Sequence, residues 1–225
     1  MLFFDLDQTI LDFRLASHES LVELFITKGI ELSQSQIEEY GEINSRWWSK
    51  LERGLQTKEE ITTGRFDEFC EFLGVDFDAE RLNERYLSLL SSKAYFLPGA
   101  EGFLSDLKRR GLRMAIITNG VYRVQHGRFQ IARLERFFEF SLSSEEAGAA
   151  KPDPMIFDIA LKMAGARREE SIYIGDNLDS DYTGSKNAQL DFIWFHPSAS
   201  FDHGPDKIAR DFDELHSLLE RLEYF

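Results

Sequence analysis

Three times in this chain a short apolar run ends in a cluster of polar residues. Leu2 to Phe4 runs into DLDQT, Met114 to Ile117 into TNG, and Ile172 to Ile174 into GDNLDSD. A fourth run spans Phe192 to Phe195. The runs are too continuous to alternate, which marks strands buried on both faces of a parallel sheet. Parallel strands need long crossovers, usually helices, and helical patterns lie between these runs. One covers Pro98 to Arg110 before Gly111. Another opens at Asp153-Pro154, an N-cap followed by a proline suited to the first helical position, and closes at Gly165. A last helix is expected to carry Ile208, Phe212, Leu215, Leu219 and Leu222, spaced four, three, four and three. Strands alternating with helices imply an α/β fold built on a doubly wound parallel sheet.

Residues 13 to 96 break the alternation. They read as helices over Ser17 to Lys28, Ser33 to Arg53, Thr57 to Leu73 and Asp78 to Ser91, with no strand among them. The expectation is therefore an α/β core from residues 1–12 and 97–225 carrying an inserted all-helical domain, 13–96, as a cap. Hinges are expected at about residues 12 to 16 and 92 to 98.

Lysine and arginine total 26 against 40 acids, a net charge of −14. That balance argues against a nucleic acid polymer as partner. No apolar run approaches the roughly 18 residues of a membrane span. The single cysteine, Cys70, excludes an internal disulfide and suits a reducing compartment, so a cytoplasmic protein with no membrane partner is expected, either monomer or homodimer. The five histidines are scattered, and the two in HPSASFDHGP lack metal-ligand spacing.

Ligands of open α/β sheets bind beyond the carboxyl ends of the strands, so the three polar clusters should meet at one edge. An acidic chain must build any anion site locally, from a metal, a lysine and backbone N–H groups. Asp5 and Asp176 are candidate carboxylate ligands for Mg²⁺, with the backbone carbonyl of Asp7 as another. Asp5 can attack phosphorus to form an aspartyl phosphate. Asp7 can protonate the leaving oxygen and later deprotonate the attacking water. Thr118 and Asn119 offer a hydroxyl, an amide and backbone N–H groups to a phosphate, and Lys151 in AAKPDP offers a fixed positive charge. Singly, each of these reads more readily as a turn or a solvated surface than as part of a site. Their order after strands is what carries the inference.

DLDQT, IITNG, the lysine of AAKPDP, and IGDNLDSD resemble, in that order, the four motifs of the haloacid dehalogenase superfamily of phosphohydrolases. The resemblance implies a Rossmann-like core with a helical C1 cap and a Mg²⁺ cofactor. It assigns Asp5 as nucleophile, Asp7 as acid/base, Thr118 and Lys151 as phosphate binders and Asp176 as a metal ligand. Asp181 would bind metal through water or orient Lys151. An acid at Asp7 favours phosphoryl transfer over dehalogenation, since a leaving halide needs no proton. The stretch from ITNG to AAKPDPMIFDIAL, with INSRWWSKLERGLQTKEEITTGRF in the cap, resembles the bacterial pyrimidine 5′-nucleotidases. That likeness implies a small-molecule phosphomonoester substrate, a nucleoside monophosphate. Arg14, Trp47, Trp48 and Arg65 are then candidate contacts to base or sugar. Adjacent helical residues point about 100° apart, so one tryptophan could stack on a base while the other packs inward. A sugar-phosphate phosphatase or phosphosugar mutase of the same superfamily remains an alternative, as does a phospho-receiver module.

Overall fold

Leu2, Phe3 and Phe4 are all completely buried, so both faces of their strand are covered. The computed structural model describes residues 1–198 and 204–224. Among the described residues one sheet is formed by β1 (Leu2–Phe4), β2 (Met114–Thr118), β3 (Ser141–Ser143), β4 (Ile172–Gly175), β5 (Asp191–Phe195) and β6 (Ile208–Ala209). The strands are all parallel, in the order β3-β2-β1-β4-β5-β6. The sheet grows from β1 one way through β2 and β3, then the other way through β4, β5 and β6. Its switch point is therefore beside β1, where Leu2 pairs with Met114 on one side and Ile172 on the other.

Neighbouring residues of a strand point to opposite faces. Phe4, Ile116 and Ile174 accordingly join one core with Phe103, Leu215 and Leu219, while Phe3, Ala115 and Tyr173 join a second with Ile156, Phe157 and Ala160. This is the expected doubly wound fold.

The helices are α1 (Phe13–Ile26), α2 (Gln34–Glu52), α3 (Lys58–Leu73), α4 (Ala79–Ser91), α5 (Ala100–Arg109), α6 (Tyr122–Ile131), α7 (Ser144–Ala147), α8 (Pro154–Ala164), α9 (Thr183–Asn187) and α10 (Phe212–Arg221). Asp153 and Gly165 cap α8 as expected. The chain divides into two compact units, residues 1–13 with 94–225, and residues 14–93. The second unit is helical. Ser33, Thr57 and Asp78 are the N-caps of α2, α3 and α4, the first two in full capping boxes. Its core is aromatic, with Phe25 edge-on to Phe69 and Tyr40 against both Phe69 and Tyr86.

Three expectations need correction. Ile208 lies on β6, opposite Trp194, and α10 starts at Phe212 because the Asp211 side chain accepts from the Glu214 N–H. The apolar spacing continued through a strand that immediately precedes the helix. β3 was not anticipated, since only Leu142 of its three residues is apolar. α1 begins at Phe13 rather than Ser17. The expected loop from Pro197 to Pro205 falls partly outside the described residues, and His203 with it. No helix among the described residues is long and apolar enough to cross a membrane.

Candidate active site

The carboxyl ends of β1, β2 and β4 bring the three polar clusters together. Asp5 follows Phe4 directly and stays in register, its N–H donating to the Ile174 carbonyl at 2.9 Å. The chain then turns tightly, with the Gln8 N–H donating to the Leu11 carbonyl at 2.8 Å and the Ile10 N–H to the Leu6 carbonyl at 3.0 Å. Gln8 adopts φ 59°, an uncommon conformation for a residue with a side chain. The loop is specified by its own backbone bonds, which fix where both acids project.

Lys151 is almost fully buried and sits between two carboxylates. Its Nζ donates to Asp5 Oδ1 at 2.6 Å and to Asp181 Oδ1 at 2.7 Å, and lies 2.8 Å from the Tyr173 hydroxyl. Burial works against the ammonium, yet Asp181 and Asp5 overcome it and hold its pKa above the ordinary lysine value. The two carboxylates thus favour the ammonium over the neutral amine. Tyr173 donates to Asp181 Oδ1 at 3.0 Å, and the Asn177 N–H donates to Asp181 Oδ2 at 3.1 Å. Asp181 is therefore in direct contact with Lys151. Gly175 makes room for it, because a Cβ there would lie 2.3 Å from Asp181 Oδ2.

One carboxylate oxygen from each of Asp5, Asp176 and Asp181 lies within 4.8 Å of the others. Burial pushes the Asp5 carboxyl up to about 7, with Lys151 opposing the shift and Asp181 and Asp7 adding to it. Asp176 is raised well above the usual carboxylate range by burial and then by Asp181 and Asp5. Three carboxyl groups crowded round one ammonium are hard oxygen donors whose mutual repulsion a divalent cation would relieve. That set fits a divalent cation of the Mg²⁺ type.

Asp7 is apart from this cluster. Its carboxylate is paired with Arg128 and accepts from Gln125 Nε2 at 2.7 Å. Thr118 Oγ1 accepts from Gln125 Nε2 at 3.0 Å and from the Gly120 N–H at 3.1 Å, which leaves the hydroxyl hydrogen to donate elsewhere. Asn119 differs from expectation. Its amide donates to the Lys151 carbonyl and accepts from the Lys151 N–H, both at 2.8 Å, so the side chain holds Lys151 instead of facing a phosphate.

The expected contacts to base or sugar all belong to the helical unit. Arg65 is corrected to a structural role. It is 2% exposed, and its guanidinium donates to Asn44 Oδ1 at 2.7 Å, Asn83 Oδ1 at 3.1 Å and the Thr62 carbonyl at 3.2 Å, tying α2, α3 and α4 together. Trp47 donates to Glu68 at 2.7 Å and has the Lys50 ammonium 3.4 Å from its ring centroid, so a base cannot stack on that face without displacing Lys50. Trp48 is half-buried and Arg14 exposed. Sequence reasoning passed over Tyr173, Gln125 and Arg128. Tyr173 reads as one more core aromatic in IYIG, whereas the three-residue spacing of Gln125 and Arg128 after TNG is a signal that would have put them on one face of a helix there.

A buried aspartate at the end of the first strand, a lysine bridging it to a second acid and a carboxylate cluster all lie at the switch point of a doubly wound α/β fold. The haloacid dehalogenase-like hydrolase family matches residues 2–195, and the chain belongs to it. The pyrimidine 5′-nucleotidase PynA of Streptococcus pneumoniae is 30% identical over 99% of this chain and 94% of its own. The pyrimidine 5′-nucleotidase YjjG of Escherichia coli is 31% identical over 98% and 96%. The crystal structure of the HAD-hydrolase YfnB of Bacillus subtilis, bound to magnesium, superposes with a TM-score of 0.90 at 30% identity over 97% of both chains. With nucleotidases and phosphatases as its relatives, the chain is an enzyme of the phosphoric monoester hydrolase kind, which sets aside the receiver alternative.

Proposed function

We propose that the enzyme hydrolyses nucleoside 5′-monophosphates through a phosphorylated Asp5. The observation that carries the chemistry is the Asp5 carboxylate, buried at the end of β1, bonded to Lys151 at 2.6 Å and within the carboxylate cluster. The nucleotide preference rests on the two relatives named pyrimidine 5′-nucleotidases.

The Asp5 oxygen opposite Lys151 attacks phosphorus while the bond to the alcohol oxygen breaks. Asp7 gives that oxygen a proton, then takes one from the water that cleaves the aspartyl phosphate. Lys151 and the Thr118 hydroxyl hold phosphoryl oxygens, and Asp181, Tyr173 and Asn119 hold Lys151. Asp5 and Asp176 through carboxylates, and Asp7 through its backbone carbonyl, would hold Mg²⁺. Bound there, the ion would supply Lewis-acid stabilisation of the charge on the phosphoryl group.

Phosphate release is measured in Mg²⁺ with UMP, dUMP and dTMP against sugar phosphates. The pyrimidine nucleotides are expected to lead by kcat/KM, and Asp5→Asn to abolish turnover. Equal rates for Asp5→Asn and the unaltered enzyme would sink the mechanism. A lead for sugar phosphates would favour the second reading, supported by the glyceraldehyde 3-phosphate phosphatase of Pyrococcus furiosus, 27% identical over 98% of this chain.

A further inference from the structure

Asp7 is held on both carboxylate oxygens by one helix. Arg128 pairs with Oδ1 and Gln125 Nε2 donates to Oδ2 at 2.7 Å. Arg128 Nη1 also donates to Gln125 Oε1 at 3.1 Å, so the two donors brace each other. Both come from α6, three residues apart and therefore on the same helical face. Arg128 has 0% exposure and Gln125 is buried as well, whereas the Asp7 side chain keeps 27% exposure.

An arginine is costly to bury, and this one is buried beside the single acid expected to move protons. Its guanidinium carbon lies 5.9 Å from the Phe13 ring centroid, within cation–π range. Gly120 permits the arrangement, since a Cβ there would lie 2.1 Å from Gln125 Nε2. A carboxylate offers about four lone-pair sites. One donor on each oxygen leaves sites on both for a proton, but removes the freedom of the side chain to turn.

The geometry points to Gln125 and Arg128 as positioning residues that fix the Asp7 carboxylate for proton transfer to the leaving oxygen. This rests on the reading of Asp7 as the acid/base. In the first half-reaction the Asp5–phosphorus bond forms, the phosphorus–oxygen bond breaks, and the alcohol departs with the Asp7 proton. Water then adds its oxygen to phosphorus, frees Asp5 and returns a proton to Asp7. Holding the donor in line is worth most where the leaving group is an alkoxide. p-Nitrophenolate, a stable anion, leaves with little help.

The test compares kcat/KM, which covers the steps up to departure of the leaving group, for p-nitrophenyl phosphate and for the better of UMP and glyceraldehyde 3-phosphate. Gln125→Met and Arg128→Met are expected to lose about 10²-fold on the alkyl ester, within the range of a positioned general acid. On the aryl ester the loss should stay below about tenfold. Arg128→Lys should recover part of the alkyl rate. Gln125→Met, which keeps the volume, carries the test if Arg128→Met does not fold. In an Asp7→Asn background neither substitution should reduce alkyl turnover further, because a residue acting through Asp7 has nothing left to position. Equal losses on both esters, or a full additional loss on Asp7→Asn, would overturn the proposal. Wild-type enzyme that released phosphate from none of the three compounds would overturn the proposed function itself, a separate result.

Discussion

Asp5 carries a burden that the rest of the chain must offset. Its carboxyl shifts from 3.8 to about 7 on folding, chiefly through burial. The folded protein therefore holds the extra proton between those values, and this contribution to stability is present below about pH 4 and lost as pH rises to about 7, the reverse of an aspartate whose pKa is depressed on folding. A shift of that size is worth at most about 4 kcal/mol. Metal-free Asp5→Asn is expected to match the unaltered protein near pH 4 and to exceed its stability by about 1–3 kcal/mol at pH 8, measured by urea unfolding. Saturating Mg²⁺ should reverse the order, by binding only the protein that keeps the ligand. A difference independent of pH would refute the linkage. The acids of this site were legible because each follows a buried strand. Asn119 was legible only as a polar group, since no spacing reveals that its amide faces the backbone of Lys151, thirty-two residues away.

Packing in the helical unit turns on a contact that no periodicity announces. A Cβ on Gly64 would lie 2.4–2.8 Å from three ring atoms of Trp47, so α3 approaches α2 through the missing side chain. The ring cannot swing aside freely, because Glu68 accepts from its Nε1 at 2.7 Å and is itself paired with Arg46 at 2.7 Å. Replacing an exposed helical glycine by alanine gains up to about 1 kcal/mol of helix propensity. Overpacking costs typically about 1–3 kcal/mol, and here the obstacle is a braced indole. Gly64→Ala should therefore destabilise the protein on balance, by about 1–2 kcal/mol in chemical denaturation. A gain near 1 kcal/mol would mean that the ring moves at no cost. The starts of α2, α3 and α4 were readable because Ser33, Thr57 and Asp78 carry their signal locally. Arg65 was not, as its partners Asn44 and Asn83 come from two other helices.

Across the whole molecule, legibility follows continuous apolar runs. β1, β2, β4 and β5 supply them, whereas the sheet ends in β3, where only Leu142 is apolar, and in β6, a two-residue strand whose Ile208 fits the spacing of the helix after it. Net charge needs no pattern at all. At −14 the protein repels a phosphate monoester at long range while attracting Mg²⁺. The Debye length is about 30 Å at 0.01 M salt and about 8 Å at 0.15 M, so added salt screens the distant acids and leaves the contacts around Lys151 almost untouched. With Mg²⁺ kept saturating, raising KCl across that range is expected to lower KM for a nucleotide by about 2- to 5-fold, with little change in kcat. The same titration should weaken Mg²⁺ binding, measured by calorimetry without substrate. Screening removes repulsion in the first case and attraction in the second, so the two effects must carry opposite signs. A KM that rose with salt would mean that substrate meets a positive local field dominating the net charge.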